Sequence, residues 1–217
     1  METVLLTCIN SDFDLKLAEA FAREGYNVFA IGAQGIPGVM PLPCDLPQAA
    51  AAILKSTGKV DIYVELSDER SVDDTFNVRS GLDEGLIRNL YEKNVLGPLA
   101  TLEAFIGLLD AGSGKRLCFI ASARASINES RETEGYGYAL GKAAMSNFYQ
   151  MISNRLTPSG YTYRVYDPMH GEISPEAAAE GAFNYFTRRR GTEGENPLRD
   201  DEARLVFRDA FAREHTW

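Results

Sequence analysis

Short apolar runs alternate with amphipathic stretches of helical period along almost the whole sequence. The run Val4 to Thr7 gives way to a polar turn and then to FDLKLAEAFAREG, where Phe13, Leu15, Leu17, Ala18 and Phe21 recur on one helix face. Gly25 stops that helix, and YNVFAIG comes next as a second strand of the buried type. VMPLPCD at 39–45 reads as a third strand, PQAAAAILKSTG as a helix with Pro47 in its first turn, and VDIYVEL at 60–66 as a fourth strand. A polar stretch, SDERSVDDTFNVRSG, leads into a helical pattern over 82–109. RLCFIAS (116–122) predicts a strand, 137–155 a helix, and YTYRVYDP (161–168) another strand. SPEAAAEGAFNYF predicts a helix capped by Ser174 with Pro175 at its first position. Residues 188–202, rich in charge, Gly and Pro, read as a loop or lid, and the tail ARLVFRDAFAREHTW as a final strand on the strength of LVF.

Strands apolar on both faces that alternate with helices are buried on both sides, and the strand–helix–strand unit forces parallel pairing through a right-handed crossover. The expected fold is therefore α/β, a doubly wound parallel sheet with helices on both faces (a Rossmann-type three-layer sandwich), with residues 1–217 as one domain. Such sheets bind ligands beyond the carboxyl ends of their strands.

Composition narrows the chemistry. With 31 acidic against 22 basic residues the net charge is -9, which opposes a phosphate backbone and argues against nucleic acid. Cys8, Cys44 and Cys118 form no CxxC and there are only two histidines, so neither a zinc site nor a disulfide framework is indicated, and a reducing cytoplasm is expected. No apolar run approaches the roughly 20 residues of a membrane span, and no basic region precedes the first apolar stretch, so neither a membrane partner nor a targeting segment is expected. GSGK at 112–115 lacks the upstream glycine of a phosphate loop and reads as a turn.

Tyr138 and Lys142 lie four apart in YALGK, which places both on one helix face. A phenol near pKa 10 is a poor acid or base at neutral pH, and an adjacent ammonium lowers that value. Ser122 ends the preceding strand, where a hydroxyl can polarise a carbonyl oxygen in the crevice, and Ser126 competes for that role.

The order strand–IAS–loop–YxxxK, then a strand and Pro168, resembles the short-chain dehydrogenase/reductase family over most of the chain. YEKNVLGPLATLEAF is similar to the family's Asn-bearing helix and supplies Asn94, with Gly97 and Pro98 behind it to disturb the helix. The resemblance implies Tyr138 as general acid/base, Ser122 orienting a substrate carbonyl, Lys142 holding the nicotinamide ribose and lowering the Tyr138 pKa, and Asn94 maintaining a proton relay. It also implies NAD(P)(H) as cofactor, of undetermined type, a small-molecule substrate, and a homodimer or homotetramer. In the family such assemblies form through the long helices, and AAMSNFYQM offers Met145, Phe148, Tyr149 and Met151 for the contact.

The cofactor side departs from the family pattern. Where T-G-x-x-x-G-x-G is usual, the chain has Thr7, Cys8, Ile9, Asn10, Ser11, Asp12, Phe13, Asp14, with no glycine. Asp12 and Asp14 favour the helix start by roughly 0.3–1 kcal/mol through its dipole and oppose a pyrophosphate there. Glu65, Leu66, Ser67 and Asp68 replace the family's N-N-A-G, and Met169 stands where glycine usually comes after Pro168. Thr7, Asn10, Ser11, Gln34, Asp45, Leu46, Lys142 and Pro168 remain as candidate cofactor contacts, and His170 as a candidate pocket residue. An NAD(P)-dependent carbonyl/alcohol oxidoreductase, a non-redox acid/base enzyme and a silent binding module on the same fold all stay open.

Overall fold

A computed structural model describes residues 1–188, 201 and 204–217. Among the described residues, seven strands run parallel and an eighth antiparallel, in the order β3-β2-β1-β4-β5-β6-β7-β8. They are β1 (Thr3–Leu6), β2 (Asn27–Ile31), β3 (Val39–Leu42), β4 (Ile62–Glu65), β5 (Arg116–Ile120), β6 (Thr162–Asp167), β7 (Phe207–Asp209) and β8 (Glu214–His215). The helices are α1 (Asp12–Arg23), α2 (Leu46–Ser56), α3 (Glu84–Tyr91), α4 (Gly97–Ala111), α5 (Tyr136–Leu156) and α6 (Pro175–Thr187). This is the doubly wound Rossmann-type fold, and the strand order reverses at β1, which pairs with β2 on one side and β4 on the other.

Strand side chains alternate between faces, so each strand feeds two cores. Val4 and Leu6 of β1 and Ile62 and Val64 of β4 pack with Phe13, Leu17 and Phe21 of α1 and with Phe183 and Phe186 of α6. Leu5, Phe29 and Tyr63 point the other way, against Ile53 of α2, Phe105 and Leu109 of α4 and Tyr149 of α5. The turn read at GSGK is present, and a Cβ on Gly112 would stand 2.0 Å from the Val60 carbonyl oxygen.

The helical pattern over 82–109 is interrupted. Between α3 and α4, Glu92–Leu96 widens into a π-turn, with the Gly97 N–H bonded to the Glu92 carbonyl. Pro98, lacking a donor, sits in the first turn of α4. Among the described residues, the combined stretch Glu84–Ala111 is long and apolar enough to cross a bilayer by length and composition, an 18-residue window within it reaching a mean hydropathy of 1.2. This differs from the sequence expectation because helix polarity is averaged around the axis; Leu102, Phe105 and Leu109 spend its apolar face on the sheet.

The tail does form a strand, β7, at Phe207–Asp209, parallel to β6 and closed by β8. The expected loop or lid at 188–202 lies almost wholly outside the described residues. Of its two described members, Arg188 caps the end of α6 and pairs with Asp201 at 3.2 Å.

Candidate active site

The carboxyl ends of β4 and β5 lie side by side, with Glu65 in register with Phe119, and the loops leaving both strands converge on the start of α5. Ser122 comes two residues beyond β5, Tyr138 lies in the first turn of α5, and Lys142 one turn later. Ser122, Tyr138, Lys142 and Asn94 are all at most 5% exposed. The Lys142 ammonium donates to the carbonyls of Ser67 (2.8 Å) and Ile120 (3.0 Å) and pairs with the Asp68 carboxylate at 2.9 Å.

Asp68 is the hub. Its Oδ1 accepts from the Tyr138 hydroxyl at 2.7 Å, while Oδ2 accepts from Arg70 Nε (3.2 Å) and Nη2 (3.1 Å) and lies 3.5 Å from His170 Nε2. Arg70 also donates to the Tyr138 oxygen at 3.1 Å, and its guanidinium lies 4.7 Å from that ring's centre. Burial alone would raise the Asp68 carboxyl, but Lys142, Arg70 and the Tyr138 hydroxyl together hold it down to about 2. Tyr138 moves the opposite way: burial and then the Asp68 charge push its phenol well above the usual value, against Arg70 and Ser122. The expected depression by Lys142 is therefore corrected. Asp68 answers the ammonium's charge, and Tyr138 is held as a neutral phenol. His170 is held below its ordinary value, chiefly by burial.

The segment that carries Asp68 is tied across the site. Asn94 spends its side chain on Glu69, donating from Nδ2 to the carbonyl and accepting at Oδ1 from the N–H, both at 2.8 Å. Lys93 pairs with the Glu69 carboxylate at 2.7 Å, and Asp74 caps α5 by accepting from the N–H groups of Gly137 (3.2 Å) and Tyr138 (2.9 Å). In the bonds observed Asn94 fastens a loop. Sequence reasoning noticed Asp68 as a change from N-N-A-G and missed Arg70, Glu69 and Asp74. The signal was present: SDER places four polar residues directly after a strand end that faces the crevice.

On the cofactor side, Cys8 and Met169 have φ of 54° and 53°. Left-handed backbone costs a side-chain-bearing residue roughly 1–2 kcal/mol, so both positions keep the geometry that glycine favours without the glycine. Burial, then the charge of Glu65, pushes the Cys8 thiol up. At the start of α1, Ser11 is the N-cap and Asp14 completes a capping box: Asp14 Oδ2 accepts from the N–H groups of Asn10 (3.0 Å) and Ser11 (2.8 Å). Burial raises the Asp14 carboxyl to about 6 in spite of those bonds. The backbone N–H groups of Asn10 and Ser11, two residues expected as cofactor contacts, are thus already satisfied by the chain's own carboxylate.

Two cavities flank this point. One of about 300 Å³ is lined by Asn10, Ser11, Asp14, Asp68, Arg70 and His170 among others. The other, of about 490 Å³, includes Thr7, Cys8, Gly32, Cys44 and Leu46. The Thr7 hydroxyl donates to Glu65 at 2.8 Å and accepts from the Leu66 N–H at 3.0 Å. Asp45 is exposed and serves as the α2 N-cap, accepting from the Gln48 N–H at 2.9 Å. Gln34 is exposed, Pro168 is buried beyond β6, and neither lines these cavities. The larger cavity fits the nucleoside end of a dinucleotide. Where a pyrophosphate would approach the start of α1, the Asp14 carboxylate already lies on the N–H groups of Asn10 and Ser11.

No family model matches the chain. It is 28% identical over 172 residues to the 1-hydroxy-2-glutathionyl-2-methyl-3-butene dehydrogenase of Rhodococcus, covering 73% of this chain and 74% of that protein. An uncharacterized oxidoreductase of Saccharomyces cerevisiae is 25% identical over 154 residues, which span 71% of this chain and 58% of the yeast protein. Among solved structures, a carbonyl reductase from Pseudomonas aeruginosa in complex with NADP superimposes at a TM-score of 0.76, with 21% identity and full coverage of both chains. A short-chain dehydrogenase/reductase family oxidoreductase from Brucella ovis, in complex with a partially ordered NAD, gives 0.67 at 19% identity, over 86% of this chain and 93% of that one.

Proposed function

We propose that this chain, a short-chain dehydrogenase/reductase by fold, is an oxidoreductase that interconverts a carbonyl and an alcohol with NAD(P)(H), the proton passing through Tyr138. The observation that carries this reading is the meeting of Ser122, Tyr138 and Lys142 at the carboxyl ends of β4 and β5, in the crevice where such sheets bind ligands. The redox equivalent would come from the nicotinamide. The chain's own part is proton chemistry: a neutral phenol gives its proton to a substrate oxygen held by Ser122, while Lys142 and Arg70 steady the negative charge left on Tyr138. For that oxygen to reach Tyr138, Asp68 must release its 2.7 Å bond.

Calorimetric titration with NADH and NADPH tests the reading. Binding tighter than about 100 μM, or about -5.5 kcal/mol, is expected for one of the two. No heat of binding at millimolar concentration of either would overturn it, and would favour a second reading, a non-redox acid/base enzyme on the same fold. That second reading draws on the carboxylates of Asp14 and Asp68, which stand at the two places where a dinucleotide would need donors.

We also propose that the chain self-associates as a dimer or tetramer in a reducing cytoplasm, where Cys8, Cys44 and Cys118 remain thiols. Of the side chains expected at such a contact, Met145 and Tyr149 belong to the core and Phe148 packs against it, which leaves Met151 at 63% exposure. Leu140, Leu96 and Tyr91 are exposed as well, on α5, the π-turn and α3. Light scattering that gives the 23.9 kDa monomer at micromolar concentration would overturn this.

A further inference from the structure

The Asp68 carboxylate is held as a bound ligand would be. Its side chain is 12% exposed, its two oxygens face different donors, and every donor comes from an element other than its own except Arg70. Oδ1 meets the Tyr138 hydroxyl and the Lys142 ammonium, and Oδ2 meets Arg70 and His170. These groups line or adjoin the 300 Å³ cavity, a volume suited to a small molecule. Under the proposed function Asp68 must leave this seat before a substrate can take the Tyr138 proton.

A neutral ketone arriving in its place would leave the buried Lys142 ammonium, and Arg70 at the rim of the cavity, without an answering charge. A buried cation that loses its partner is strongly destabilised, so the incoming molecule has to return the negative charge that Asp68 withdraws. The two-sided arrangement also says where that charge sits. The oxygen on the Tyr138–Lys142 side is the one to be protonated, and the oxygen on the Arg70–His170 side is the one that stays anionic.

Resting on the carbonyl-reductase reading above, we propose that the substrate is a small acid whose carboxylate is adjacent to the reacting carbonyl, a 2-oxo acid or its 2-hydroxy counterpart, and that Asp68 is the internal carboxylate it displaces. Arg70 and His170 receive the substrate carboxylate and set specificity, while the substrate's carbonyl oxygen lies against Tyr138. Asp68, once displaced, turns its side chain toward solvent, while Asn94 keeps the backbone of the segment, and with it Arg70, in place.

The test is binding measured without nicotinamide, so that it fails or succeeds independently of the oxidoreductase reading. Calorimetry on the full chain with oxamate, an unreactive carboxylate analogue of a 2-oxo acid, is compared with oxamide, its neutral diamide. Oxamate is expected to bind at least tenfold more tightly than oxamide. Arg70→Ala is expected to weaken oxamate at least tenfold and leave oxamide unchanged. Asp68→Asn, which removes the charge of the internal competitor, is expected to tighten oxamate at least tenfold. Because that variant leaves Lys142 and Arg70 uncompensated, its melting temperature is read as well: oxamate should raise it by more than it raises that of the unsubstituted chain. Equal binding of the two compounds, no binding of either at millimolar concentration, or indifference of oxamate to Arg70→Ala would each overturn the proposal. Absence of NADH and NADPH binding alongside tight oxamate binding would sink the redox reading and leave the carboxylate seat standing.

Discussion

Tyr138→Phe is expected to lower turnover by a factor of about 10²–10⁴, the range a positioned general acid supplies, with the fold intact. The ring is 2% exposed and packed beneath Arg70, contacts that phenylalanine retains. The Tyr138 N–H keeps its bond to Asp74, and Asp68 keeps Lys142 and Arg70 when the hydroxyl goes. The loss is then one hydrogen bond to a charged acceptor, roughly 1.5–3 kcal/mol of stability, which a thermal melt would register. Nicotinamide binding, read by calorimetry, should stay close to that of the unsubstituted chain. Turnover in the variant equal to that of the unsubstituted chain would refute the role given to Tyr138. A fall of only a few fold would point instead to Lys142 as the acid.

The direction of the Tyr138 pKa makes this prediction asymmetric. A phenol raised by burial and by Asp68 stays protonated across the neutral range, so carbonyl reduction, which consumes that proton, begins from the correct form. Alcohol oxidation needs the phenolate and should gain rate as pH rises. Displacing the Asp68 charge lowers the Tyr138 pKa, which couples substrate entry to proton availability.

Much of this arrangement could be read from residue patterns, for reasons that are local. Apolar runs fix strands because both faces are buried. Ser11, Asp45 and Ser174 fix helix starts because a short side-chain oxygen satisfies N–H groups that the helix leaves open. Gly97 and Pro98 foretold a broken helix, since a residue without a donor cannot continue the ladder. What escaped depends on where a side chain turns after its backbone is set. Asp14 reads as a charge at a helix start, yet whether that carboxylate faces solvent or folds back onto Asn10 and Ser11 is decided by burial under neighbouring elements. Asp68 lies in a loop without periodicity, and its partners are 70 residues away at Tyr138 and further at Lys142. Met145 and Tyr149 fit a surface contact by composition, but the phase of α5 turns them toward Phe105 and Phe119 in the sheet-facing core.

Nicotinamide dinucleotide affinity is expected to rise as pH falls through about 6, and Asp14→Asn is expected to remove that dependence. The Asp14 carboxylate lies on the N–H groups of Asn10 and Ser11 just ahead of α1, so a pyrophosphate approaching the helix start meets a fixed negative charge. Two like charges at roughly 4–5 Å repel by about 4 kcal/mol at an intermediate dielectric, enough to suppress binding by more than tenfold. Protonation of Asp14 cancels that repulsion. The folded-state value near 6 lies above the unfolded 3.8, so this group's contribution to stability is full below about 3.8 and is lost as pH rises through 6. The separation corresponds to about 3 kcal/mol at most, which the folded chain gives up at neutral pH to keep a charged cap. Asparagine can still accept from Asn10 and Ser11, because both N–H groups converge on the single oxygen Oδ2. Asp14→Asn should therefore hold α1, raise stability near pH 7, and bind NADH or NADPH about tenfold more tightly there. Calorimetry from about pH 5 to about pH 8 on both proteins decides the matter. An affinity that is flat with pH in the unsubstituted chain, or equal in the two at neutral pH, would show that the dinucleotide does not seat its phosphates at the start of α1.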